Sequence, residues 1–312
     1  AEQMKININC GKLIWNVLNS FIVISTFDST IVLETKKYSQ VDANFASDAE
    51  TLSVIVMNDN KNVIQITTNK IRHLSFSLAN SVDDDDEEEE VKLESTFSDT
   101  LFKSGVSAVQ VTNYGHNFSI AFSDNTVSFY AFFEADSNVI LIQSLEVPHE
   151  VSALAMNDSS LSVSFWNLSE VHTFNLTSFE LISKVKIDHK NETYVSSLIY
   201  ESEGEKISLI AGCNDGKICI LKRINDEKDE YNITVINVSS SSIRLKRIRN
   251  EILIISDVSA FLHKQKSVKQ NEEIDDKKEE EEEIGNDDNE DEKEEVKIDD
   301  DADDENFEYK VD

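Results

Sequence analysis

The run 194-YVSSLIYESEGEKISLIAGCNDGKICILKR-223 decides the fold. It opens on an apolar–polar alternation (Val195, Ser196, Ser197, Leu198, Ile199), crosses a charged turn and enters a hairpin made of ISLIAGC and KICILKR. The two arms meet at Asn214-Asp215-Gly216. Asp-Gly between alternating hydrophobics signals a tight turn, because such turns need positive φ, which Gly and Asn or Asp tolerate. Three consecutive strands, each with one apolar face, cannot bury that face alone and require neighbours.

The neighbours repeat. Val106-Ser107-Ala108-Val109, Val151-Ser152-Ala153-Leu154 and Val195-Ser196-Ser197-Leu198 are versions of one tetrapeptide, spaced 45 and 44 residues apart. Each precedes a hairpin: FSIAFSDNTVSFYAFF (118–133), LSVSFWNLSEVHTFNL (161–176) and ISLIAGCNDGKICILKR (207–223). A fainter copy, SSIRLKRIRNEILIISDVSAFLH (241–263), enters its turn at Asp257. A further strand-like run follows each clear hairpin: VILIQSLEV (139–147), ELISKVKI (180–187) and YNITVINV (231–238). Four strands recurring about every 45 residues is the pattern of propeller blades. A β-sandwich also has many short strands, but nothing in it demands a four-strand unit at fixed period. The expected fold is all-β: a β-propeller of about five to seven four-stranded blades, in a ring that need not close, over residues 1–266, with a disordered acidic C-terminal tail.

Earlier in the chain, FIVISTFDSTIVLET (21–35) reads as a hairpin turning at Asp28-Ser29. LSVIVMNDNKNVIQITT (52–68) is a second, turning near Asn58-Asp59-Asn60, and KIRHLSF (70–76) follows as a strand. Residues 79–100 interrupt the pattern with DDDDEEEE and read as an acidic loop insertion, tolerable because loop-closure cost grows slowly with length. Residues 267–312 are low-complexity and acidic, and cannot bury enough apolar surface to offset ordering entropy. An all-charged helix is the competing reading of that tail, but acidic residues far outnumber lysines there.

The formal charge of −32 is unevenly placed. Residues 271–312 contribute −19 and residues 83–90 contribute −8, which leaves −5 for the body. Direct phosphate-backbone binding needs clustered Lys and Arg. The one basic run, Arg244, Lys246, Arg247 and Arg249, alternates within a strand and reads as a solvated edge. Nucleic acid is therefore expected only indirectly, through a complex. No apolar run approaches membrane-spanning length, and no membrane or small-molecule partner is expected.

No catalytic set emerges. The histidines (His73, His116, His149, His172, His189 and His263) show no metal-ligand spacing, and no Gly-rich phosphate loop or G-x-S-x-G elbow is present. His149 and Glu150 are adjacent, and adjacent strand or turn residues point to different sides. Cys213 and Cys219 sit on opposite arms of one hairpin, where a disulfide or half a metal site is conceivable; small buried hydrophobes are the plainer reading. No cofactor, metal or enzymatic activity is expected. The candidate contacts for a protein partner are Trp166, an interface-type side chain within a hairpin, and the turn Asn214, Asp215, Gly216.

Taken together, residues 20–263 resemble the second β-propeller of the large subunit of damaged-DNA-binding protein. Its relatives include the large subunit of the cleavage and polyadenylation specificity factor and a propeller subunit of a splicing complex. The likeness is carried by NVIQITTNKIRHLS (62–75), SAVQ (107–110), HEVSALAM (149–156), TSFELISK (177–184) and SLIAGCNDGKICIL (208–221). The resemblance implies a non-enzymatic, nuclear scaffold. In the damaged-DNA-binding branch this propeller docks the type-4 cullin of a ubiquitin ligase; the other branches act in splicing or pre-mRNA 3′-end processing. A reading from charge alone is a chaperone of basic proteins such as histones, acting through the acidic tail.

Overall fold

The computed structural model describes residues 13–17, 21–25, 29–35, 39–59, 61–81, 90–187, 193–203, 206–225, 230–248, 251–256 and 260–264. They form six antiparallel sheets, each pairing its strands in chain order. Sheet 1 holds β1 (Leu13–Val17), β2 (Phe21–Ser25), β3 (Thr30–Glu34) and β4 (Gln40–Val41). Sheet 2 holds β5 (Thr51–Val56), β6 (Asn62–Thr67), β7 (Lys70–Ser81) and β8 (Glu90–Leu101). Sheet 3 holds β9 (Ala108–Tyr114), β10 (Asn117–Phe122), β11 (Thr126–Phe133) and β12 (Asn138–Glu146). Sheet 4 holds β13 (Val151–Met156), β14 (Ser160–Phe165), β15 (Leu168–Asn175) and β16 (Leu181–Lys186). Sheet 5 holds β17 (Val195–Glu203), β18 (Lys206–Cys213), β19 (Lys217–Asn225) and β20 (Glu230–Asn237). Sheet 6 holds β21 (Arg244–Ile248), β22 (Glu251–Ile255) and β23 (Ala260–Lys264).

Neither face of a middle sheet is left to water, because successive sheets stack. Phe21, Val23 and Val32 interlock with Val54, Leu74 and Phe76 between sheets 1 and 2. Ile64 and Ile66 meet Phe118, Ile120 and Phe132 between sheets 2 and 3. Val127 and Phe129 meet Val163, Phe165 and Phe174 between sheets 3 and 4. Sheets 4 and 5 share Val171, Val185, Leu209 and Leu221; sheets 5 and 6 share Ile210, Ile218, Ile252 and Ile254. Buried aliphatic and aromatic side chains of this size stabilise by about 1.5–3 kcal/mol each relative to exposure. The first strand of each sheet packs on the first strand of the next, from β1 through β5, β9, β13 and β17 to β21. These are therefore the inner strands of propeller blades. Among the described residues no strand pairing joins sheet 6 to sheet 1.

The small polar residues of the repeat act at these inner seams. The Ser152 hydroxyl bonds Ser164 Oγ at 3.0 Å and donates to the Val195 carbonyl of the next sheet at 2.6 Å. Ser196 in turn donates to Gly212 O at 3.0 Å and to Ile243 O at 2.6 Å. Gly212 permits this approach: a Cβ there would lie 2.8 Å from the Ile243 carbonyl oxygen. In these two copies the serine of the tetrapeptide is thus a bolt between one blade and the next.

Two expectations from sequence need correcting. In sheets 2 to 5 the pairing of the inner strand shifts at one place, at Thr51/Ser53, Ala121/Phe122, Val151/Ala153 and Val195/Ser197. The following turn also returns one backbone bond, from Thr68 N to Glu50 O, Ser123 N to Ser107 O, Trp166 N to Glu150 O and Asn214 N to Tyr194 O. Both features make Ala108, not Val106, the equivalent of Val151 and Val195. The first tetrapeptide is two residues out of step, because the bulge and turn set register while a local Val-Ser-Ala match does not. Residues 79–81 and 90–100 are not loop either. β7 and β8 pair continuously from Lys70 opposite Leu101 to Ser81 opposite Glu90, and Leu93 is buried. The alternation from Val91 to Leu101 makes that stretch the outer strand of the blade. Most of the acidic run, the tail over 267–312, Asp28, Asn60 and Asp257 lie outside the described residues.

Replacing Ser152 by Ala leaves the Val195 carbonyl without its buried donor. The expected loss is about 1–2 kcal/mol of stability, read as a lower urea midpoint; an unchanged midpoint would show that the hydroxyl bolts nothing.

Candidate partner-binding face

In an up-and-down sheet, alternate turns come out on opposite faces. One face of this molecule carries the turns between second and third strands, among them 123–125, 166–167 and 214–216, together with the connections between sheets. The other carries the turns between first and second and between third and fourth strands, among them 115–116 and 134–137.

The four residues singled out from sequence meet on the first face, at the seam between sheets 4 and 5. Trp166 ends the β14 arm in the β14–β15 turn and is 39% exposed. Its ring lies 5.0 Å from that of Tyr194, inclined at 56°. Tyr194 stands in the connection leading to β17. Its N–H donates to Asn214 Oδ1 at 2.8 Å, and its carbonyl accepts from Asn214 N at 3.0 Å. A two-point clasp therefore ties the Trp166–Tyr194 pair to the β18–β19 turn. Aromatic pairs in offset or tilted contact contribute about 0.5–1.5 kcal/mol beyond area burial.

The same turn is internally braced. Asp215 Oδ2 accepts from Thr193 Oγ1 at 3.0 Å and from Lys217 Nζ at 2.5 Å, while Asp215 Oδ1 is buried and without a hydrogen-bond partner among the described residues. Gly216 is buried with φ of +84°, and an added Cβ would fall 1.9 Å from Ser239 O. Its carbonyl accepts from Val238 N and Ser239 N. Gly216 therefore shapes the turn from beneath and presents no side chain, while Trp166 offers the exposed apolar surface.

Other sequence candidates resolve differently. Arg244 and Lys246 share one side of β21, whereas Arg247 points to the other and reaches the Tyr200 carbonyl. The basic run thus does not make one face, as strand alternation dictates; Arg249 lies outside the described residues. Cys213 and Cys219 are buried, unbridged neighbours with Sγ atoms 3.9 Å apart, packed in the seam between sheets 4 and 5. The contact with Cys219, together with burial, pushes the Cys213 thiol up. Among the described residues no group of three or more His, Cys, Asp or Glu side chains converges on a metal site. His149 and Glu150 are both exposed, next to the Trp166 turn, and share no partner. His189 lies outside the described residues.

What sequence reading missed is Tyr194, the residue through which Trp166 and Asn214 touch. Its only signal was an aromatic directly before a repeat of the tetrapeptide.

A stack of four-stranded meanders joined at their inner strands is the architecture of a β-propeller. Residues 3–271 match the family described as the RSE1/DDB1/CPSF1 second beta-propeller, and the chain belongs to that family. The family is one of scaffolds for multiprotein, mostly nuclear complexes, and its propeller is generally non-catalytic. A comparison with curated proteins finds no match.

Two measurements check this description. Gly216→Ala combines a strained backbone with a clash against Ser239 and should cost at least about 1–3 kcal/mol, whereas Trp166→Ala, at an exposed position, should cost much less; equal losses would make Trp166 a core residue. Second, burial lowers the pKa of His73 and of His172 from the ordinary 6.5. The unfolded chain then takes up protons that the folded chain refuses, so stability is full above about pH 6.5 and falls as pH drops below it. Urea midpoints should decline between about pH 7.5 and about pH 5.5, and a flat profile would contradict neutral, buried rings.

Proposed function

We propose that the protein is a non-enzymatic scaffold that holds another subunit of a nuclear complex against the face carrying Trp166 and the Asn214–Gly216 turn. The observation that carries this reading is an exposed indole held in place by its surroundings. Trp166 is gripped by Tyr194, and Tyr194 by Asn214, so little side-chain entropy is lost when a partner covers the ring. Asn214 and Asp215 form the polar rim and Gly216 the rigid floor.

Within this reading the partner is the type-4 cullin of a ubiquitin ligase, as the resemblance to the damaged-DNA-binding subunit implies. The splicing and 3′-end-processing branches of the same family are the alternative. Trp166→Ala should reduce cullin capture from nuclear extract by at least about tenfold while leaving the thermal midpoint in place. Co-purification of splicing or 3′-end-processing subunits instead of a cullin would move the assignment to another branch. Removal of residues 267–312 should leave capture intact; salt-sensitive loss of capture would mean that binding is driven by the acidic tail.

A further inference from the structure

Among the described residues, sheets 1 to 5 each end in an outer strand whose far side pairs with no other strand, and most of these edges are protected. β4 has only two residues, β8 carries Glu90, Lys92, Glu94 and Asp99, and β16 carries Lys184 and Lys186. β20 interleaves Asn232, Thr234 and Asn237 among its apolar residues. Short length and charge are the usual defences of an open edge.

β12 has neither. It runs nine residues, NVILIQSLE, with a single charge at its last position. Ile140, Leu141 and Ile142 lie in succession and are 40%, 51% and 42% exposed. The hydrogen-bond pattern fixes which backbone groups are free. Phe132 N donates to His116 O, so Phe132 faces β10 and its neighbour Ala131 faces β12. Ala131 pairs with Ile140, which leaves the main-chain groups of Val139 and Leu141 on the open side. Val147 N donates to Asn125 O, so Glu146 also turns its main chain outward.

The ends of the edge are acidic. Glu134 and Asp136 occupy the turn into β12, and Glu146 closes it. Glu134 lies 3.6 Å from His116 Nε2, and all three carboxylates belong to exposed residues. From Asp136 to Glu146 the strand covers about 30 Å at about 3.3 Å per residue.

We propose that β12 is a strand-addition site that takes an extended, aliphatic segment of a partner protein, with lysine or arginine at each end of that segment. Main-chain bonds to Val139, Leu141 and Glu146 set the pairing, and side chains of the incoming strand cover Ile140, Leu141 and Ile142. Charge selects the occupant. A second copy would bring another chain of formal charge −32 against an edge bracketed by carboxylates, whereas a basic-flanked segment is attracted to it. This edge is separate from the Trp166 face, so the two readings fail independently.

The test uses the full chain and a fluorescent peptide in which valine and threonine alternate, flanked by two lysines on each side. Binding should be saturable, should protect the amides of Val139 and Leu141 from hydrogen exchange, and should weaken by at least about tenfold in Leu141→Lys. Trp166→Ala should bind the peptide as the parent does. Leu141 is half exposed, so Leu141→Lys should keep the parent's thermal midpoint; Leu141→Thr, which adds no charge, should retain most of the binding. Three outcomes overturn the proposal: affinity unchanged in Leu141→Lys, equal affinity for a peptide with the lysines replaced by glutamates, or protection elsewhere than on β12. Concentration-dependent self-association abolished by Leu141→Lys would also overturn it, in favour of a second copy.

Discussion

The molecule depends on how one inner strand meets the next. At those seams two sheets approach closely, and a carbonyl left there without a donor would cost about 1–3 kcal/mol. A large side chain would hold the sheets apart, and an alanine would leave the oxygen dry. Serine is small enough to fit and carries the proton the carbonyl needs, so Ser152 and Ser196 reach Val195 and Ile243 respectively. The missing side chain at Gly212 serves the same close approach. Outward from the axis the sheets diverge, and the space fills with phenylalanine, isoleucine and valine from both sides. Small polar inside and large apolar outside is the composition of the seams between sheets 4 and 5 and between sheets 5 and 6.

Much of this was readable beforehand, for a physical reason. A tight turn with φ of +84° at Gly216 demands particular residues, and strand alternation declares which face is buried. Element type and repeat therefore stood out. Register did not. Val106-Ser107-Ala108 and Val151-Ser152-Ala153 look alike, yet the extra residue of each bulge, invisible as a string, makes Ala108 the equivalent of Val151. The outer strand β8 was hidden by its neighbours: eight carboxylates in a row masked the weaker alternation that follows them.

The candidate face was legible in parts. Trp166 and Asn214-Asp215-Gly216 each carried a local signal, but they are 48 residues apart and meet only because consecutive blades bring equivalent turns side by side. Tyr194 carried only the signal of an aromatic before a repeat, since its role comes from the stacking of blades. Gly216, read as a contact, is a buried support for Ser239. Period two likewise divides the basic run, read as a solvated edge: it sends Arg247 away from Arg244 and Lys246. A run of aliphatics such as β12 is easy to see in the chain, but only the pairing order shows that its far side is open.

The arms of β7 and β8 are twelve residues each, against two to nine in the other outer strands. Cohesion in this architecture resides near the axis and between adjacent blades only, so length gained at the periphery disturbs no other unit. A blade is free to lengthen there, or to change its ornament, while the hub keeps its dimensions. Rim and hub can accordingly diverge at different rates.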